Sequence, residues 1–162
     1  MARTWREAAR RGLVSGSSAA AASGAVLVVC AALEGRYPLS PLNGPSQWLW
    51  GEAETARPDP TLRHTAAGYV IHHASALLWA TLHEKAFDSP RHRRLASAEL
   101  TRAFATAAIA AFVDYALTPR RLEPGFDKHL SLPSIVANYA AFAVGLAAGR
   151  PRRQHGTHRK DR

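Results

Sequence analysis

The sequence predicts an all-α fold, a polytopic membrane bundle of four transmembrane helices, and three observations carry that expectation. Four apolar stretches, residues 12–33, 65–83, 98–118 and 134–149, are separated by charged or proline-rich segments. Lysine and arginine gather in three of the gaps, at Arg3–Arg11, Lys85–Arg94 and Arg150–Arg162. Inside the apolar stretches, the polar side chains share faces with glycine and alanine, and the aliphatic side chains take the opposite faces. In lipid that pattern turns the polar face inward.

At 162 residues the chain is one compact unit, without room for a separate soluble domain once four spans are counted. The net charge of +9 suggests nucleic acid at first sight. A nucleic-acid domain spreads its basic residues along one folded face, whereas here they sit in the gaps, so no nucleic-acid partner is expected. Cys30 is the only cysteine. An intramolecular disulfide, a CxxC redox pair and a thiolate zinc site are therefore excluded, and thiol-oxidising membrane enzymes with them.

Residues 1–11 form a basic amino terminus, and residues 12–33 then run about 22 residues without a charge, enough to cross a bilayer. Gly12, Gly16, Ala20 and Gly24 recur every four residues, a small-residue stripe that lets another helix approach closely. A cleaved signal peptide shares the basic start, but this apolar stretch is longer than a usual signal core. Val29 suits a lipobox poorly immediately before Cys30, and Glu7 interrupts the pattern of a mitochondrial transit peptide. Length favours an uncleaved anchor.

Residues 34–64 are a proline-punctuated loop containing Ser46–Gly51, SQWLWG. Trp48 and Trp50 suit the headgroup layer, where an indole buries its ring and keeps its N–H wet, so a short interfacial helix is expected here. An aromatic clamp on a ligand is the functional alternative. The second span, within TAAGYVIHHASALLWATLHE, carries Gly68, Tyr69, His72, Ser75, Ala76, Trp79 and His83 on one face. The third places Asp114 on a stripe with Ala103, Ala107, Ala110 and Ala111, and sets Glu99 and Arg102 three apart at its start. Residues 119–133, PRRLEPGFDKHLSLP, form a turn-rich rigid connector. The fourth span aligns Asn138, Ala141, Gly145 and Gly149. Residues 150–162 form a basic tail with nothing apolar to fold on, expected to be disordered.

Counting lysine and arginine in the gaps gives four, three, four, three and six from the first gap to the last. The positive-inside rule then puts both termini in the cytoplasm. Taken together, SQWLWG, GYVIHHASALLWA and VDYALTPRRLEPGFDKHLS resemble a family of small bacterial four-helix integral membrane proteins known only as hypothetical proteins. The resemblance covers roughly residues 43–149 and implies an inner-membrane location. It carries no activity and no catalytic residues.

Helix rise places Asp114, Asn138 and the block from Tyr69 to His73 at similar depth, about 6 to 13 Å in from the outer helix ends. Tyr69, His72, His73, Asp114 and Asn138 are thus the candidate cluster, with His72 the first candidate partner for the Asp114 carboxylate and His73 the second. Polar glue between helices is one reading, and a structural or accessory role follows from it. A proton, ion or small-ligand site is another, in which the chain is a small transporter acting as an oligomer. A haem-binding or lipid-modifying protein is a third. His72 and His73 point apart, so no metal site is expected, and bis-histidine haem would need a second subunit. Nothing matches GxSxG, HExxH or a phosphate loop, and no catalytic residues are assigned. Arg120 and Arg121 lie on the side the rule disfavours for arginine. They call for a compensating contact, either lipid phosphate or Glu52, Glu54 or Asp59 of the first loop. The expected partners are the lipid bilayer and a second copy or a larger membrane complex.

Overall fold

The computed structural model describes residues 3–87 and 96–149. The tail expected at 150–162 and most of the basic connection after the second apolar stretch lie outside the described residues.

The described residues are all helical, with no strand among them. Helix α1 runs over Trp5–Leu33, seven residues longer at its start than the apolar stretch. The reason is local: Thr4 caps it through its hydroxyl, which accepts from the Glu7 N–H at 3.3 Å. Glu7 also pairs with Arg11 one turn on at 2.7 Å. The helix ends at Gly35, whose φ of 69° lets the Arg36 N–H turn back to the Ala31 carbonyl at 2.9 Å.

The first loop folds as a 3-10 turn over Ser40–Ser46, then as two single-turn helices, α2 (Gln47–Trp50) and α3 (Glu52–Thr55). The SQWLWG block thus does form a helical turn. A π turn over Leu62–Ala66 feeds α4 (Ala67–Ala86). Helix α5 covers Ala96–Phe112 and ends in a π turn, Val113–Leu117. Two 3-10 turns, Arg120–Leu122 and Phe126–Lys128, lead to α6 (Leu132–Ala148).

The four long helices form an up-and-down bundle in which α1 is central, packed between α4 and α6, while α5 leans on α6 and meets α4 only loosely. The glycine stripes set this order. A Cβ on Gly16 would lie 2.9 Å from the Leu77 Cα, and one on Gly12 2.9 Å from the Thr81 nitrogen, so α1 and α4 touch backbone to backbone. On the other side of α1, a Cβ on Gly145 would lie 2.7 Å from the Ala19 Cα. The half of the bundle holding both termini is filled by Ala19, Ala20, Ala76, Ala80, Ala103, Ala107 and Ala143, sealed by Phe142 and Leu146. The loop end has a second core of Leu27, Ala31, Leu42, Phe126, Leu130 and Ile135.

Two helical segments, Trp5–Leu33 and Ala96–Leu117, are long and apolar enough to cross a membrane. The other two stretches expected to span fall short of that measure. Leu132–Ala148 is apolar but has 17 residues, about 25 Å of rise. In α4 the apolar run is diluted by His72, His73 and His83 and by Glu84 and Lys85 at its end. Large aliphatic and aromatic side chains stand on the outside of all four helices, among them Leu13, Val29, Val70, Leu78, Ile109, Phe112, Val136 and Val144.

Candidate functional site at the loop end of the bundle

The close seams of α1 with α4 and α6 loosen toward the loops, where a Cβ on Gly24 would meet only the Tyr69 ring at 3.7 Å. The four helices there enclose a cleft with about 60 Å³ of free space. Ser23 of α1, His72, Ser75 and Trp79 of α4, Asp114 beyond α5, and Asn138, Tyr139 and Phe142 of α6 line it. Its roof is built from the two loops, through Pro45, Trp48, Leu122, Pro124 and Phe126.

The roof is held by side-chain bonds between the loops. Gln47 donates its amide to the carbonyls of Arg120 (3.1 Å) and Glu123 (2.6 Å), and the Trp48 indole donates to that of Leu122 (2.8 Å). Lys128 donates back to the Gln47 amide oxygen at 2.5 Å and faces Glu52 at 3.5 Å. Asn43, fully buried, donates to the carbonyls of Arg57 and Asp59 and accepts from the Thr65 hydroxyl, so the first loop is tied to the start of α4. Gly68 is required there, because a Cβ would sit 1.8 Å from the Leu42 carbonyl oxygen. His129 lies buried in the same roof with its Nε2 2.8 Å from the Thr55 carbonyl. Burial, with Arg36 and Lys128 nearby, pushes its pKa down, although the Thr55 bond opposes the shift. Glu34 accepts from the Ser131 and Ser134 hydroxyls at the start of α6, and those bonds hold its carboxyl below the ordinary range.

Three of the five candidate cluster residues meet in the cleft. His72 is buried with Nε2 3.1 Å from the Ser23 hydroxyl, and the edge of Phe126 approaches its ring. Asn138 is 3 % exposed, and its Oδ1 has no hydrogen-bond partner among the described residues. Asp114 is half-buried and accepts from the Tyr139 hydroxyl at 2.7 Å. The other two lie elsewhere. His73 turns to Ser17, 3.1 Å away, and Tyr69 packs on both histidine rings at 6.3 and 5.8 Å, away from the cleft lining.

The expected Asp114–histidine pair is therefore replaced by an Asp114–Tyr139 pair. Ser23 on α1 takes His72, and the tyrosine that follows Asn138 on α6 reaches the carboxylate first. A tyrosine adjacent to the one polar residue of an apolar helix was the available signal for Tyr139, and Trp79 was visible on the polar face of α4. Arg120 and Arg121 are exposed, and among the described residues neither is in an ion pair. Two of the three acids expected to face them are engaged otherwise, Glu52 with Lys128 and Glu54 with Arg57 (3.9 Å) and His64 (3.8 Å), and Asp59 is in no ion pair with either arginine among the described residues. Trp50 does not reach the cleft; the Arg63 guanidinium lies over its ring at 4.0 Å.

Among the described residues no three His, Cys, Asp or Glu side chains converge as metal ligands. The free space also bears on what enters. It is more than a single water needs, so the cleft is hydrated or filled by a ligand group. No protein-family model, curated protein or solved structure matches the chain.

Proposed function

We propose that the chain is a four-span inner-membrane protein, both termini cytoplasmic, whose outer-leaflet cleft binds the polar head of a small lipid-soluble ligand. Support for the membrane setting comes from the ring of exposed aliphatic side chains around every long helix, a surface that water does not tolerate at this extent. The gap charges support the orientation, and the location rests on the resemblance of the three sequence blocks to small bacterial membrane proteins. On this reading α4 and α6 cross with the help of their flanking turns, and Arg120 and Arg121 stand at the headgroup layer, where lipid phosphate is their partner.

One observation carries the ligand site over polar glue. Glue residues satisfy one another across a helix interface, whereas the buried Asn138 Oδ1 has no partner among the described residues and Asp114 has only Tyr139. Both line free space. A buried acceptor left open beside a cavity is a cost that a ligand's donor removes. A transmembrane proton or ion path is less well supported: alanine, phenylalanine and leucine lie directly beneath the cleft, and the buried His83–Thr106 and Arg3–Glu84 pairs sit beyond them at the terminal end.

Cysteine accessibility tests the cleft. In a Cys30→Ser background, Ser75→Cys should react with a small neutral thiosulfonate reagent in membranes, and Ala80→Cys, buried in the alanine core of the same helix, should stay inert. Equal rates at the two positions would mean that no cleft exists. Reporter fusions active only outside the cytoplasm should signal near Asp59 and Gly125 and stay silent at Arg94; a signal at Arg94 would overturn the topology.

A further inference from the structure

We propose that the ligand's head is an ammonium group and its tail a single alkyl chain; the inference rests on the cleft being a ligand site. Four features of the lining point the same way. Its hydrogen-bonding capacity is rich in acceptors: the open Asn138 Oδ1, the Asp114 oxygen that Tyr139 does not hold, and the Ser75 hydroxyl. A primary ammonium brings three donors and no acceptor, which complements that set.

The second feature is charge. No lysine or arginine lines the cleft, and among the described residues Asp114 is in no salt bridge. A carboxylate at this depth calls for a counter-charge, and an anionic head would add a second negative charge instead. The third is the walls. Trp48, Trp79, Phe126 and Phe142 line the same cleft as the carboxylate, and aromatic faces favour a cation over a neutral head. The fourth is the shape. The cleft is lined from both α4 and α5, which meet only loosely, so a chain held at its ammonium leaves for the lipid along that seam.

The test uses the full chain in phosphatidylglycerol nanodiscs, which offer no competing ammonium headgroup. Dodecylamine, dodecanol and dodecanoate are titrated while tryptophan fluorescence and thermal stability are read. Asp114→Asn keeps shape and hydrogen bonding, and partition into the nanodisc lipid is the same for wild type and variant. Dodecylamine should bind the Asn variant at least tenfold more weakly than wild type, and dodecanol should change by less than twofold. Dodecanoate should not bind either. Trp79→Leu, which leaves the carboxylate in place, should weaken amine binding several-fold and spare the alcohol.

Amine binding unchanged in both variants, with the alcohol still bound, would overturn the ammonium assignment and leave the cleft standing. Tighter binding of dodecanoate than of the amine would overturn it in the same way. Failure of all three probes, together with a Ser75→Cys thiol that does not react, would overturn the cleft and the ammonium together. If Asp114→Asn does not fold, the Trp79→Leu ratio decides alone.

Discussion

The two halves of the bundle are built from different materials. The half that holds the termini is glycine and alanine pressed backbone to backbone around an apolar core. In the loop half the close approaches are between loops and the start of α4, at Gly44, Gly68 and Gly125, and the helices below them leave a cleft in which the Asn138 Oδ1 has no partner among the described residues. Gly24, the last residue of the α1 stripe, marks the change: a Cβ there would meet only the Tyr69 ring, at 3.7 Å. The difference separates the part of the bundle that fixes the helices from the part that leaves a polar cleft between them. Dense small-residue packing holds the helices while one buried acceptor, the Asn138 Oδ1, goes without a partner among the described residues at their other end.

The sharpest break of this comparison is in the packed half. Gly16→Leu drives a side chain into the Leu77 backbone, where overpacking normally costs about 1–3 kcal/mol and direct backbone contact more. Folded yield in detergent should collapse, and Gly145→Leu should do the same by separating α6 from α1. Tolerance of both would mean that the helices are not held by this seam.

The next largest effect is at the terminal end. Arg3 bridges to the Glu84 carboxylate at 2.8 Å and also donates to its backbone carbonyl, while Lys85 caps the Arg3 carbonyl. The Glu84 side chain is fully buried. Arg3→Ala takes the guanidinium away from that buried charge, a loss of roughly 3–5 kcal/mol for broken buried pairs, so thermal stability should fall steeply. A double variant with Glu84→Gln should recover most of it. No recovery would show that Glu84 is held by something other than its charge.

Much of the packed half was legible in the sequence, because glycine every fourth residue has one physical meaning on an apolar helix. Gly12, Gly16, Gly145 and Gly149 announce close approach without reference to any partner. The extent of α1 was less legible, since the Thr4 cap extends a helix into a segment whose charges suggested a loop. The cleft was legible only by depth. Helical rise put His72, Asp114 and Asn138 at one level, but which side chain reaches which depends on rotation about each helix and on the π turn at Val113–Leu117. That is why His73 and Tyr69 fell outside the cleft and Tyr139 and Trp79 came into it. The roof was least legible, because bonds from Gln47 to the Arg120 and Glu123 carbonyls join positions far apart in the chain with no periodic signal.

A smaller effect separates the roof from the helices beneath it. His129 has its pKa lowered by burial, so the fold holds it neutral. As pH falls below the ordinary histidine value of about 6.5, the unfolded chain takes up the proton first and the folded roof loses stability. Hydrogen-exchange protection in residues 40–60, corrected for the intrinsic pH dependence of exchange, should therefore fall between about pH 7.5 and 5.5, a window that brackets the ordinary histidine value, and in α1 it should not. His129→Gln, whose amide can still donate to Thr55, should flatten the response. An unchanged pH response in that variant would remove His129 from the roof's stability.

The smallest expected change is the most direct test of the central claim. Asn138→Leu replaces the open acceptor with an apolar side chain of similar size. If the cleft is a ligand site, thermal stability without ligand should be unchanged or higher, since the substitution removes an unsatisfied buried group, and ligand binding should be lost. If the cluster is polar glue, the same variant should lose about 0.5–2 kcal/mol, and a clear drop in melting temperature would contradict the account.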